Sequence, residues 1–428
     1  MCIKNRRLRV GVLGLIRGSA FVRMLLYHPD AELSALCDFD PQKMEALKRS
    51  GWGDELAKRN VPFYRDFARL LEHDLDAVIL ANYAPEHVPA AIQALAAGKH
   101  VLSEVPACSS VGEAVELVEA VEKSGLVYMI GENVCFYPHA LEMRRRYQAG
   151  EIGEFQHGEG EYVHDLEPVW VRVTGGNPEH WRNWRPSTFY CTHALGPLLY
   201  ITGTRVCRVM GMETPNRVGY RHGRRHGDSG VMLCQMSNQA TVKILISHGG
   251  IKREPPSHWL CVGGTEGSIE SSRWNDDKVF FYRRGEAAVT DQSGYLPDPD
   301  LIYKEEIDRP EMMELAYRFK SHGAADFLTL NHFIQVALGR RENQLDVYRA
   351  VDMSLPGLLA YRSALNGNIP YEVPDLRLQE NRDKWRDDFW CTDPKAAHPG
   401  QLLPPCSFPV PDIDPEIYRR QEEEAKSK

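Results

Sequence analysis

This chain of 428 residues has no uninterrupted apolar run of roughly 18 residues, the length a membrane-spanning helix needs, which argues against a helical membrane protein. It has no excess of positive charge: 51 Lys and Arg stand against 59 Asp and Glu, a formal net charge of −8. That balance removes the broad basic footprint by which a protein holds nucleic acid or an anionic membrane surface. Its ten cysteines include no Cys-x-x-Cys pair. They are scattered and read as reduced thiols of a cytoplasmic protein rather than as a disulfide framework, and no metal site is expected. The start, Met1 to Val10, has basic residues but no apolar stretch, so no secretory signal is expected. There is no internal repeat. With 43% hydrophobic and 26% charged residues, the chain has the composition of an ordinary globular protein large enough for two domains.

The N-terminal third alternates short apolar strands with helical segments. Leu8 to Leu13 reads as a buried strand, Gly14 to Gly18 as a tight turn, and Ala20 to Tyr27 as a helix. Strand Leu33 to Cys37 ends at Asp38, and the apolar strand Asp76 to Ala81 comes later. Helix Pro89 to Ala97, strand His100 to Ser103, helix Gly112 to Ser124 and strand Val127 to Ile130 complete the series. Such alternation predicts a doubly wound parallel sheet with its ligand at the carboxyl ends of the strands.

The glycine turn alone is weak evidence for a ligand. The standard Gly-x-Gly-x-x-Gly pattern would put glycines at 14, 16 and 19, whereas the chain has Gly14, Ile16 and Ser19, with a glycine displaced to Gly18. Asp38 strengthens the case. An acidic side chain ending the second strand can accept hydrogen bonds from ribose hydroxyls and repels a 2′-phosphate, which favours NAD over NADP. Arg17 is placed to reach the pyrophosphate. The loop Asn82-Tyr-Ala84-Pro-Glu86-His87 follows the fourth strand, where it would meet the nicotinamide ribose; His87 reads either as a cofactor contact or as a helix-start residue.

Further segments are distinctive: Ser103-Glu104-Val105-Pro106, Gly131-Glu132-Asn133, and His157-Gly-Glu-Gly-Glu-Tyr162-Val-His164-Asp165. His180-Trp-Arg182, Tyr190-Cys-Thr-His193-Ala-Leu-Gly-Pro197 and Ser321-His-Gly-Ala-Ala-Asp326 follow. With the glycine turn they resemble the Gfo/Idh/MocA oxidoreductases, and within them the NAD-dependent glycosidases typified by α-N-acetylgalactosaminidase (glycoside hydrolase family 109). The resemblance spans roughly positions 8 to 375. The oxidoreductases usually read Glu-Lys-Pro where this chain has Glu104-Val105-Pro106, and valine can neither accept nor donate a proton. The resemblance implies NAD contacts from Ile16, Arg17, Asp38, the Ala84 to His87 loop, Glu104, Val105 and Asn133. It implies sugar contacts from Tyr162, Arg182, Tyr190 and His193. The interval from Arg182 to Tyr190 is shorter than the family's, so Arg185 competes for the arginine role, and Tyr303 is the nearest match for a further substrate tyrosine.

The chemistry implied is an exception to the two-carboxylate scheme of most glycosidases. Transient oxidation at C3 of the sugar acidifies the C2 proton, a base removes it, the aglycone leaves C1, water adds, and the hydride returns. His193 is the best candidate for the base, since imidazole titrates closest to neutrality. Tyr190 precedes it by one helical turn and either assists or binds a hydroxyl. Tyr162 and His164 alternate along a probable strand and so project from one face, as catalytic groups or as half-buried packing.

The second half reads as a C-terminal α+β domain with a largely antiparallel sheet, built from Gln156 to Val163, Cys207 to Met212, Val231 to Met236, Thr241 to His248 and Trp259 to Val262. One face of that sheet is available for self-association, and a homo-oligomer is expected. The basic loop Arg221-His-Gly-Arg-Arg-His226 reads as a solvated turn, with an anion or acidic-sugar contact as the alternative. Helix Ala325 to Leu338 is expected to pack back on the nucleotide domain. The expected domains are 1–133 for NAD, 134–375 for substrate, and 376–428, a Pro- and charge-rich surface arm. The reading is an NAD-dependent glycosidase acting on a small carbohydrate; the alternatives are an NAD-dependent sugar or cyclitol dehydrogenase and a nucleotide-binding regulatory protein.

Overall fold

Four strands near the start of the chain are almost purely apolar, and such runs are buried on both faces only within a parallel sheet covered by helices. The computed structural model, which describes residues 6–249, 257–274, 277–286, 294–307, 309–319 and 321–427, has that sheet. Strands β1 (Leu8–Leu13), β2 (Ala31–Cys37), β3 (Phe63–Tyr64), β4 (Ala77–Leu80), β5 (His100–Ser103) and β6 (Tyr128–Ile130) lie in the order β3-β2-β1-β4-β5-β6. Every pairing is parallel. Val10, Val12, Val78, Ile79, Leu80 and Val101 are wholly buried. The strand order reverses between β1 and β4, so the loops at Gly14 and Asn82 diverge there and open a crevice between them.

The chain divides into two units. The first comprises Met1–Cys108, Glu113–Tyr137 and Tyr303–Val351; the second comprises Ser109–Gly112, Pro138–Ile302 and Asp352–Lys428. The first unit therefore takes in a late segment that the sequence reading had placed in the substrate domain. The reason is visible in helix Ala325–Ala337, which is buried at every position from Ala325 to Val336 and packs on the turn Asn133–Phe136 and the helix Ser19–Leu25. Its apolar residues are covered on all sides, and its buried polar ones are hydrogen-bonded within the unit: Asn331 Nδ2 donates to Glu306 O at 2.8 Å, and Gln335 Nε2 to Asp30 Oδ2 at 2.9 Å.

The second unit holds an eight-stranded sheet of β7 (Phe155–Val163), β8 (Val206–Glu213), β9 (Ser229–Met236), β10 (Thr241–Ser247), β11 (His258–Gly264), β12 (Gly267–Ser271), β13 (Val279–Arg283) and β14 (Tyr371–Glu372). Their order is β13-β12-β11-β7-β10-β9-β8-β14, antiparallel except for the parallel pair β7–β10. The last three of these strands in chain order were not read from the sequence; they are short and sit at or near the sheet edges. The expected surface arm is also more ordered than its composition suggests. It contains helices Gln379–Trp385 and Pro415–Ser427, and the buried Tyr418 donates its hydroxyl to Gly223 O at 2.7 Å. Buried Leu376, Cys391, Cys406 and Tyr418 anchor an otherwise charged segment. None of the nine described cysteines is in a disulfide, and among the described residues no helix is long and apolar enough to cross a membrane.

Candidate active site

In the first unit, Gly14 makes the crevice possible. Its φ of +86° lies in the left-handed region, and a Cβ there would stand 2.4 Å from Ala81 O, so any side chain would collide with the loop after β4. Gly14 N donates to Cys37 O at 2.9 Å, and Gly18 N closes the turn onto Gly14 O at 3.1 Å. The result is a cleft of about 380 Å³ lined by Gly14, Ile16, Asp38, Asn82, Tyr83 and Glu86, among others. Asp38 Oδ2 accepts from Leu15 N at 2.7 Å and Oδ1 from Asp40 N at 2.9 Å. Both oxygens keep a lone pair for a hydroxyl donor. Burial raises the Asp38 pKa despite those two amides. The edge-to-face rings of Phe39 and Tyr83, 5.6 Å apart, add an apolar border. A glycine-walled crevice, an anchored carboxylate and an aromatic border at the switch point suit an adenine dinucleotide.

The remaining expected cofactor residues fall into two groups. Ile16 is exposed, and Asn82 Nδ2 donates to Glu86 Oε2 at 3.4 Å beside the buried Ala84. His87 is buried, with Nδ1 2.9 Å from Pro106 O and Nε2 3.3 Å from Asn82 O, the surroundings of a ring that braces two loops. Arg17, Glu104 and Asn133 form a second group around a residue that the sequence reading had not assigned to the site, Asp326. Arg17 Nε donates to Glu104 Oε1 at 2.7 Å, while Nη1 and Nη2 donate to Asp326 Oδ2 and Oδ1 at 2.7 and 2.8 Å. Asn133 Nδ2 adds a bond to Asp326 Oδ1 at 2.8 Å, and Ser321 and His322 Nδ1 reach Oδ2. Burial penalises the Asp326 carboxylate, yet Arg17 and His322 hold its pKa well below the ordinary value. Burial likewise works against Arg17, but Glu104 and Asp326 outweigh it and raise its pKa. All three donor nitrogens of Arg17 are thus engaged by carboxylates of the same unit. Val105 is buried, and its amide donates to Glu104 Oε2 at 3.3 Å. The signal that pointed to Asp326 was an acid opening an apolar helix after Ser321-His322.

In the second unit, Gly160 has the corresponding role. A Cβ there would lie 2.4 Å from Ala194 O, so its absence lets helix Thr192–Thr202 settle directly on β7. That approach brings His193, the second residue of the helix, to Tyr162, with ring centroids 4.9 Å apart. Tyr162 and His164 share one face, as strand alternation predicts, and the hydroxyl and Nδ1 are hydrogen-bonded at 2.8 Å. Tyr190 precedes the helix, but its ring stacks on His193 at 5.7 Å and 20°. Arg182 Nη1 donates to the Tyr190 hydroxyl at 2.9 Å. Arg182 and Arg185 both meet Tyr190, in different ways: Arg185 lies 4.5 Å from the ring centroid with its guanidinium buried. His180 caps this segment by accepting the Arg182 amide at 3.2 Å, and burial, reinforced by Arg182, holds its pKa down at about 3. His248 and His258, which the sequence reading did not single out as site residues, also pack on Tyr162, at 5.6 and 4.9 Å. Tyr303 is buried in the first unit.

A sequence profile described as the oxidoreductase family with NAD-binding Rossmann fold matches residues 8–132, and one described as the glycosyl hydrolase 109 C-terminal domain matches residues 139–386, more than half the chain. The chain belongs to glycosyl hydrolase family 109. A family 109 protein of Solibacter usitatus is 27% identical over 417 residues, covering 89% of this chain and 90% of its own. Family 109 protein 1 of Bacteroides thetaiotaomicron is 26% identical over 413 residues, covering 87% and 85%. The family's fold is shared by an oxidoreductase domain protein from Kribbella flavida, with TM-score 0.70 at 20% identity over 86% of this chain and all of the other. It is shared also by the WlbA dehydrogenase of Bordetella pertussis, solved with NADH and UDP-GlcNAcA, with TM-score 0.68 at 18% identity over 87% and 99%.

Proposed function

We propose that this family 109 protein is an NAD-dependent glycosidase that cleaves by transient oxidation, elimination, water addition and re-reduction. The first unit would hold the nucleotide through the Gly14 turn and Asp38, and the second would hold the sugar. When bound, NAD supplies a reversible hydride acceptor. The carrying observation is the set of rings around Tyr162: His193 packed edge-on against it, His164 hydrogen-bonded to its hydroxyl, and Tyr190 stacked on His193 and tethered by Arg182. These groups suit proton transfer at carbon rather than the paired carboxylates of most glycosidases. In this reading His193 removes and returns the C2 proton, and Tyr162 passes a hydroxyl proton toward His164. Arg182 and Tyr190 hold ring hydroxyls. Valine at position 105 supports it, because a lysine serving simple alcohol oxidation is missing. The exposed Met212, Val231 and Leu233 on the β8–β9 face support self-association.

The test is a screen of nitrophenyl α- and β-glycosides without added reductant, run in heavy water. The expected product sugar carries deuterium at C2 with no net NADH. Stoichiometric NADH without label at C2 would instead decide for a sugar or cyclitol dehydrogenase.

A further inference from the structure

The loop Arg221 to His226 reads as a solvated turn from its sequence, yet Arg224 and His226 are each only 1% exposed. Arg224 Nη1 donates to His248 O at 2.5 Å. Arg185, 2% exposed, donates through Nη1 to Nε2 of the same residue at 3.1 Å. His248 therefore joins two buried guanidiniums. Accepting at Nε2 puts its proton on Nδ1, and burial together with Arg185 keeps the ring neutral by lowering its pKa well below the ordinary value.

What Arg185, Arg224 and His248 leave unpaired is all of one kind; beside them His226, whose Nδ1 donates to Gly227 O at 2.8 Å, leaves its acceptor nitrogen Nε2 unpaired. Among the described residues neither Arg185 nor Arg224 has an ion-pair partner; Asp228, Asp165 and Glu167 act on Arg224 only at longer range. Nε and Nη2 of Arg185, Nε and Nη2 of Arg224, and Nδ1 of His248 are buried without a hydrogen-bond partner. Each is a donor. In both arginines the free pair, Nε and Nη2, is the edge that presents two parallel N–H bonds and matches the two oxygens of a carboxylate. A buried, unpaired cation is costly. Burial pushes Arg185 down to about 9, a strain that an arginine relieves by recruiting an anion rather than by losing its proton.

We propose that Arg185, Arg224 and His248 form a buried oxyanion site, and that it receives the carboxylate or sulfate group of an acidic sugar. Arg185 packs on the ring of Tyr190, which stacks on His193, so the site adjoins the groups assigned above to sugar binding. The sugar assignment rests on that reading; the oxyanion site does not.

Binding to the full-length protein, without turnover, provides the test. Galacturonate and glucuronate are compared with galactose and glucose by calorimetry and thermal shift, with sodium sulfate and sodium chloride as sugar-free arms. The expected result is that a hexuronate binds at least tenfold more tightly than the matching neutral sugar and raises the melting temperature. Arg185→Met and Arg224→Met should abolish that preference. Arg185→Lys, which keeps the charge but loses the two-pronged edge, should weaken it and covers the case in which the methionine variant fails to fold. Sulfate that binds as well as a hexuronate, and only when both arginines are present, would support the oxyanion site and overturn its assignment to a sugar. Equal responses to neutral and acidic sugars, with sulfate no better than chloride, would overturn the proposal. Arginine-dependent hexuronate binding with no cleavage of any glycoside would keep this site while sinking the glycosidase reading.

Discussion

Arg17 and Asp326, 309 residues apart in the chain, form a two-pronged ion pair in which Nη1 reaches Oδ2 at 2.7 Å and Nη2 reaches Oδ1 at 2.8 Å. Glu104 accepts from Arg17 and Asn133 donates to Asp326, so the turn after β1, the ends of β5 and β6 and a late helix are joined in one network around a carboxylate with no solvent exposure.

Removing that carboxylate leaves Arg17 short of its main partner. Breaking a buried pair costs about 3–5 kcal/mol, and because Glu104 remains, Asp326→Asn should lie near the lower end. The folded-state pKa of Asp326 lies well below its ordinary 3.8, so its contribution is complete above that value and lost as pH falls through the folded one. Urea unfolding of wild type and variant should show a gap that is wide at neutral pH and narrows in acid. A gap independent of pH would mean that the charge is not what stabilises.

Gly14→Ala puts a methyl group 2.4 Å from Ala81 O at a φ that L residues rarely adopt. Strain of this kind costs about 1–3 kcal/mol. The loops must part, so NAD affinity measured by calorimetry should drop by at least about tenfold, the equivalent of 1.4 kcal/mol. Undiminished affinity would place the nucleotide elsewhere.

Asp38→Ala should strip NAD from purified protein, which is otherwise expected to retain it through several columns because a cofactor regenerated in each cycle has no need to exchange. Quantifying nucleotide released on denaturation tests both statements, and unchanged occupancy removes Asp38 from the site.

Once a substrate is known, His193→Ala should reduce turnover by roughly 10²–10⁴ if it is the general base. Tyr162→Phe and His164→Ala remove the two ends of one 2.8 Å hydrogen bond, and together they should lose less than the sum of their separate effects. Strict additivity would show that the pair does not act as a unit.

Much of the first unit was legible because its signals are local. Apolar runs, the Gly14 turn and an acid at the end of β2 each occupy a few consecutive residues, and in the second unit strand periodicity put Tyr162 and His164 on one face. The edges of the second sheet were harder to read: β12 and β13 are five residues each, and β14 is two. The tail misled for a related reason, since its charged composition hides the scattered buried side chains, Cys391, Cys406 and Tyr418 among them, that tie it down.

The sequence by itself determined the parallel sheet with its turn and acid, and the local placement of Tyr162, His164, Tyr190 and His193, all of which follow from spacing along the chain. Tertiary structure alone decided which charges are paired and which are buried. Arg17 is a free cation in sequence and a neutralised one in the fold, because Asp326 arrives from the far end of the unit. Arg224 belongs to a solvated turn in sequence and to a dry, unpaired cluster in the fold, because Arg185 and His248 close around it. Desolvation and Coulomb attraction depend on distance through space, and no periodicity in the chain encodes that distance.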